Sequence, residues 1–257
     1  VKTLLVGAQN RLVVWFAARP FLSNVEEIEL LRLGTDYGGW FVPRNALSDN
    51  SRIKYLISVG IGHDVSFDRE MQKFGFSIIA IDPLKECCDF ARTQLVDTEG
   101  LTVINSGLWK EKGEVLFFPP NSQNSNSWSI TNEHRTATNL SQAFPTITLS
   151  DIFQLKSDIS SAYVVLKIDI EGAERFLFED IISHSEHLEF ICIELDFLQI
   201  LPFLAIRERV LRIVEARRIL RELSLKGFDL VHYEGFNFYW MKKDSKFRDG
   251  PSRTARS

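Results

Sequence analysis

From residue 54 onward, short continuous apolar runs alternate with stretches of helical spacing. KYLISVG (54–60) is an apolar run ending in glycine and predicts a buried strand. VSFDREMQKFG (65–75) places Phe67, Met71 and Phe74 on one helical face, with Gly75 as its stop. SIIAID (77–82) predicts a second strand and LKECCDFARTQL (84–95) a second helix. LTVINSG (101–107) follows as a third strand, then the run EVLFFP (114–119). YVVLKID (163–169) reads as a fourth strand, GAERFLFEDII (172–182) as a helix and EFICIEL (189–195) as a fifth strand. A long helix covers 203–225, and GFDLVHYEGFNFYWMKK (227–243) predicts a hairpin turning at Glu234–Gly235. Continuous rather than alternating apolarity in the central strands means that both sheet faces are covered. Strands interleaved with helices then give an open α/β sheet.

The flanks read differently. Residues 1–50 suggest a mostly helical extension. Within it NVEEIELLRL (24–33) suits a helix, with Asn24 as N-cap, Glu26 and Glu27 in the first turn and Gly34 as the stop. The earlier stretch LLVGAQNRLVVWFAARPFL is apolar but broken by Asn10, Arg11 and Arg19, which favours an amphipathic helix packed on the domain over a membrane span. DYGGWFVP (36–43) is a loop. Residues 119–145 are polar, rich in Asn and Ser and without a period, so an insertion acting as a substrate lid is expected there, with Trp128 and His134 as its costly residues. The division is therefore an extension over 1–50, a domain over 51–243 and a flexible basic tail over 244–257.

Composition narrows the class. A chain of 257 residues, 45% hydrophobic and 25% charged, is a folded, enzyme-sized unit. Its net charge of −4 argues against a protein built to hold nucleic-acid phosphates, and no nucleic-acid partner is expected. Cys87, Cys88 and Cys192 are an odd, unspaced set that fits reduced thiols in a cytoplasmic protein rather than disulfides or a zinc site. The chain opens on Val1, which leaves room for an upstream piece.

Candidate chemistry gathers where the predicted strands end. Gly60 and Gly62 let backbone approach a ligand, and the helix that follows offers its N–H groups. Asp82 ends the second strand, where an acid can accept both hydroxyls of a ribose; before Pro83 it also reads as a helix cap. After Gly62 come His63, Asp64 and Val65, so the third glycine of a dinucleotide fingerprint is missing. The fourth strand runs into KIDIEGAE. Alternation puts Ile168 and Ile170 on one face and Lys167, Asp169 and Glu171 on the other. Glu174 reads as a cap at a helix N-terminus, Glu171 as an orienting partner and Asp169 as the active-site acid.

LKIDIEGAE, together with SVGIGHDVSFD, IIAIDP and TITLSDIF, resembles the FkbM-type family of S-adenosylmethionine-dependent methyltransferases over residues 34–241, and DYGGWFVP resembles a related methyltransferase-like branch. The resemblance implies a Rossmann-like class I fold: a mostly parallel seven-stranded sheet with a C-terminal antiparallel hairpin and helices on both faces. It implies S-adenosyl-L-methionine as cofactor and a hydroxyl of a small molecule or sugar as acceptor. By position, Gly60 and Gly62 would line the cofactor, Asp82 would bind its ribose, and Ser106, Gly107 and Leu108 would border the adenine. Many methyltransferases carry an acid where Ser58 stands, so contacts to the methionine end would come from the 36–40 loop, at Tyr37 and Gly38. Asp169 would sit beside the sulfonium and the acceptor and take the hydroxyl proton, with His134 as the second candidate base. A divalent metal on Asp169 and Glu194 would be another route, but the spacing requires none and no metal ligand is expected. Two other classes stay open: a non-catalytic cofactor-binding scaffold, and a methyltransferase acting on protein or nucleic acid through the basic tail.

Overall fold

In the computed structural model, which describes residues 2–23, 28–96, 100–120, 128–130, 140–199 and 204–247, the chain opens with helix α1 (Lys2–Ala18). It buries Val13, Val14, Ala17 and Ala18 and leaves Leu12 and Phe16 exposed. The described part of the helix predicted over 24–33 is not helical. Asn24, Glu26 and Glu27 lie outside the described residues, and strand β1 (Leu30–Leu33) pairs antiparallel with β2 (Trp40–Pro43), Leu33 opposite Trp40. Helix propensity in LLRL is overridden by tertiary pairing, since the ribbon buries Leu33, Trp40 and Val42 together. A short helix α2 (Arg44–Ser48) follows.

The alternating region forms as expected: β3 (Lys54–Val59), α3 (Ser66–Lys73), β4 (Phe76–Asp82), α4 (Lys85–Gln94) and β5 (Leu101–Asn105). Next come β6 (Gly107–Leu108), β7 (Gly113–Phe117) and β8 (Gln142–Ile147), which form a separate three-stranded sheet in the order β6-β8-β7. Strand β8 begins inside the segment predicted as an aperiodic insertion. The chain continues through α5 (Leu149–Gln154), β9 (Tyr163–Ile168), α6 (Phe178–Ser183), β10 (Phe190–Glu194), α7 (Ile206–Leu225), β11 (Phe228–Glu234) and β12 (Asn237–Lys242). The helix predicted from Gly172 starts later, because Glu171 (φ 60) and Gly172 (φ 93) are left-handed; one 3-10 turn over Glu174–Phe176 precedes α6.

The main sheet has seven strands in the order β11-β12-β10-β9-β3-β4-β5. Strands β10, β9, β3, β4 and β5 run parallel, and β12 is antiparallel to both of its neighbours. Both faces are covered. Ile57, Val59, Leu166 and Ile168 face a core shared with α1 and α7, while Leu56, Val165 and Cys192 face one shared with α3, α4 and the β1–β2 ribbon. That double burial is why the strands read as unbroken apolar runs. The strand order reverses between β3 and β9, and a crevice opens at the carboxyl ends of these strands. Among the described residues no helix is long and apolar enough to cross a membrane.

Candidate active site

A cavity of about 580 Å³ occupies that crevice. Gly60 forms its floor at the end of β3. Its φ is +72, and a Cβ there would lie 1.7 Å from the Asp169 carbonyl oxygen, so two strand ends meet at a contact that glycine alone permits. Lys167, buried near the end of β9, locks the same junction. Its Nζ donates to the carbonyls of Val59 (3.3 Å) and Gly60 (2.6 Å), stands 3.8 Å from Asp169 Oδ2 and lies over the Trp40 ring. The lysine that ends the apolar run thus fixes the first strand's exit, a role the sequence reading did not assign.

Asp82 ties two backbone segments together at the end of β4. Its Oδ1 accepts from the Leu84 N–H (2.9 Å), capping the turn into α4, and its Oδ2 accepts from the Gly62 N–H (3.1 Å), tying the glycine loop to β4. It is buried and lines the cavity, and burial pushes its carboxyl above the usual range. Asp64 plays a comparable part opposite: it accepts from Thr35 Oγ1 (2.5 Å) and from the Ser66 N–H (2.9 Å), fastening the 35–38 loop to the start of α3. Beneath the glycine loop, Asp68 reaches the cavity from α3 and is 2% exposed. Ser58 lies beside its carboxylate, yet the two do not form a well-shaped hydrogen bond, and neither Ser58 Oγ nor Asp68 Oδ1 has a partner. Burial dominates and pushes the Asp68 carboxyl up.

The other end of the cavity is acidic. Asp169, Glu171 and Asp196, all half-buried, bring one carboxylate oxygen each within 4.8 Å of the others. Glu194 at the end of β10 joins them; burial first, then Asp169 and Asp196, push its carboxyl up to about 11. Glu174 is not the surface helix cap expected from sequence. It is fully buried, and its Oε1 accepts from the N–H groups of Ile170 (3.2 Å) and Gly172 (2.9 Å), so it braces the turn out of β9. Strand alternation ends at Ile168, and Glu171 reaches the cluster through its left-handed backbone rather than by sharing a strand face.

Of the predicted site residues, Gly38, Gly60, Gly62, Asp82, Gly107, Leu108, Asp169 and Glu171 line this one cavity, and Tyr37 stands at its mouth, 92% exposed. Ser106 is not among the lining residues, because β6 turns away after β5 and presents Gly107 and Leu108 instead. His134 lies outside the described residues. The described part of the 119–145 segment supplies Trp128 and Ile130 to the cavity wall, and Ser129 Oγ donates to the Glu171 carbonyl (2.7 Å). Lys167, Asp64, Asp68, Glu174 and Asp196 were not assigned site roles from sequence. The one local signal was Asp68, an acid beside Phe67 on the buried helical face.

Among solved structures, the METTL16 MTase domain is similar over 77% of this chain and 63% of its own, at 10% identity and a TM-score of 0.41. Monomeric WbdD is similar over 77% of this chain and 38% of its own, at 9% identity and 0.41. Human methyltransferase 10 domain containing protein is similar over 77% and 75%, at 13% identity and 0.40. The chain therefore spans less than two thirds of the length of the first two. No curated protein matches it. The family model of the methyltransferase FkbM domain matches residues 26–230, from the ribbon to the hairpin, and by that match the chain belongs to the FkbM methyltransferase family.

Proposed function

We propose that the chain moves a methyl group from S-adenosylmethionine to a hydroxyl oxygen of a small metabolite or sugar. One observation carries the reading: the crevice at the sheet's switch point has a buried acid, Asp82, at one end and Asp169 with its carboxyl neighbours at the other. The residues present fit the cofactor. Asp68 lines the cavity with a buried Oδ1 that has no partner, suited to the ammonium of an amino-acid end, and the buried Ser58 hydroxyl lies beside it. Asp82 would hold the ribose hydroxyls, the Gly60–Gly62 backbone the chain between, and Gly107 and Leu108 the edge of the base. Tyr37 and Gly38 would close over the amino-acid end.

When bound, the cofactor supplies a methyl group on a sulfonium, already activated for displacement. The chain's own contribution is then alignment and exclusion of water. Asp169 holds the acceptor hydroxyl and takes its proton. Lys167 keeps the Asp169 and Gly60 strand ends in register, and Trp128 and Ile130 form a wall that supports the proposed lid role of the 119–145 segment. His134 is the second candidate base. The three buried thiols, none in a disulfide, support a reducing compartment, and we place the protein in the cytoplasm on that ground.

Calorimetry should show S-adenosylmethionine binding that Asp82→Ala weakens by about tenfold or more. Absence of binding to the wild type would end the proposal. Asp169→Asn should lower turnover far more than cofactor affinity; unchanged turnover would remove its role as base.

A further inference from the structure

We infer that Asp169, Glu171 and Asp196 form a binding site for one divalent cation of the hard, oxygen-seeking class, such as Mg²⁺ or Mn²⁺. The three carboxylates come from the end of β9, the turn after it and the residues after β10, and their oxygens already lie within 4.8 Å of one another. Ligand oxygens on one hard cation, each about 2.0–2.6 Å from it, stand at comparable separations from each other. An all-oxygen set selects Mg²⁺, Mn²⁺ or Ca²⁺ over zinc or copper.

Acidic clusters are common, and two further atoms set this one apart. Glu174 is fully buried, and while its Oε1 holds two backbone amides, its Oε2 has no partner. The two amides are those on either side of Glu171, which seats the Glu174 carboxyl against the turn that carries Asp169 and Glu171. Asn237 Oδ1 is also buried without a partner; Asn237 lines the same cavity and sits opposite Glu194 in the β10–β12 register. A buried carboxylate oxygen and a buried amide oxygen, both lone-pair donors, thus accompany the three carboxylates. Lys167 offsets only one of these charges: its Nζ stands 3.8 Å from Asp169 Oδ2 while it donates to two carbonyls.

The consequence for substrate rests on the methyltransferase proposal; the binding of the cation does not. A cation here would take two neighbouring oxygens of the acceptor and acidify the one that is methylated, whose proton would pass to the Asp169 oxygen that does not hold the cation. The acceptor class becomes a compound with two adjacent oxygens, a vicinal diol or a hydroxy acid, rather than an isolated alcohol.

The full chain, stripped with EDTA, is titrated with Mn²⁺ and followed by the electron-spin-resonance signal of free Mn²⁺ and by calorimetry. One Mn²⁺ per chain is expected, displaced by Mg²⁺. Asp196→Asn and Glu171→Gln should each weaken it by about tenfold or more, and Asp89→Asn, a surface control, should not. The inference is overturned if the wild type shows no saturable binding up to about a millimolar. It is equally overturned if both cluster variants, folded by circular dichroism, bind Mn²⁺ like the wild type. S-adenosylhomocysteine titrated into the same samples separates the two proposals: Mn²⁺ binding without cofactor binding sinks the methyltransferase reading alone, and the reverse sinks the cation site alone.

Discussion

Replacing Glu194 by Gln removes a titration from the acidic end of the cavity. Burial, reinforced by Asp169 and Asp196, raises this carboxyl from its ordinary 4.5 to about 11. At neutral pH the folded protein therefore holds a proton that the unfolded chain has released. Stability falls with rising pH wherever the folded state binds more protons. The contribution is thus complete below pH 4.5 and is lost as the pH climbs toward 11. Each pH unit costs about 1.4 kcal/mol, so the loss by neutrality is about 3 kcal/mol. That is a ceiling, because the neighbouring carboxyls share the proton. Glutamine copies the shape of the neutral acid and does not titrate. Urea unfolding in EDTA, followed by circular dichroism between about pH 5 and 8, should show the variant gaining little at the acid end and about 2–3 kcal/mol near neutrality. A stability difference that stays constant across that range, or a variant weaker than wild type at the alkaline end, would refute the reasoning.

Gly60→Ala drives a methyl group to 1.7 Å from the Asp169 carbonyl at a φ of +72; a loss of about 3 kcal/mol or more is expected, and a wild-type thermal melt would contradict the strand-end contact. Lys167→Met takes the lysine donor from the Gly60 carbonyl and leaves the Val59 carbonyl with the Asp169 N–H, which should cost about 1–3 kcal/mol in chemical denaturation. It should also speed amide exchange in the glycine loop, and unchanged exchange would show that the lysine does not hold it. Asp68→Asn should weaken S-adenosylhomocysteine about tenfold or more while leaving 5′-methylthioadenosine, which lacks the amino-acid end, unaffected. Equal losses for both ligands would move Asp68 out of the ammonium site.

The sheet was legible because its strands are buried on both faces, so YVVLKI and FICIE carry a signal that needs no partner to be recognised. Asp169 and Asp82 were legible for a related reason, as charges standing where such runs stop. What escaped depends on contacts distant in sequence. LLRL has helix-forming residues, and it became a strand through pairing with WFVP. Glu174 stands two residues after a glycine and resembles a helix-opening acid; the left-handed Glu171 and Gly172 turn it inward instead. Asp196 joins the cluster through the parallel pairing of β10 with β9, which spacing along the chain does not encode. One signal was available and weak: in β8, Phe144 and Thr146 are buried while Ala143 and Pro145 are exposed, a period of two at the end of an otherwise patternless stretch.

Strand β12 is the last in sequence but lies between β10 and β11, with Phe238, Tyr239, Trp240 and Met241 buried. A growing polypeptide therefore presents β10 with an open edge until the residues up to Lys242 have left the ribosome. Chains interrupted before Asn237 would keep that edge, with Phe190 and Cys192 on one face, free to pair with other copies. Premature termination in this stretch should then yield insoluble product rather than a shortened soluble protein, which makes the hairpin a late checkpoint on synthesis.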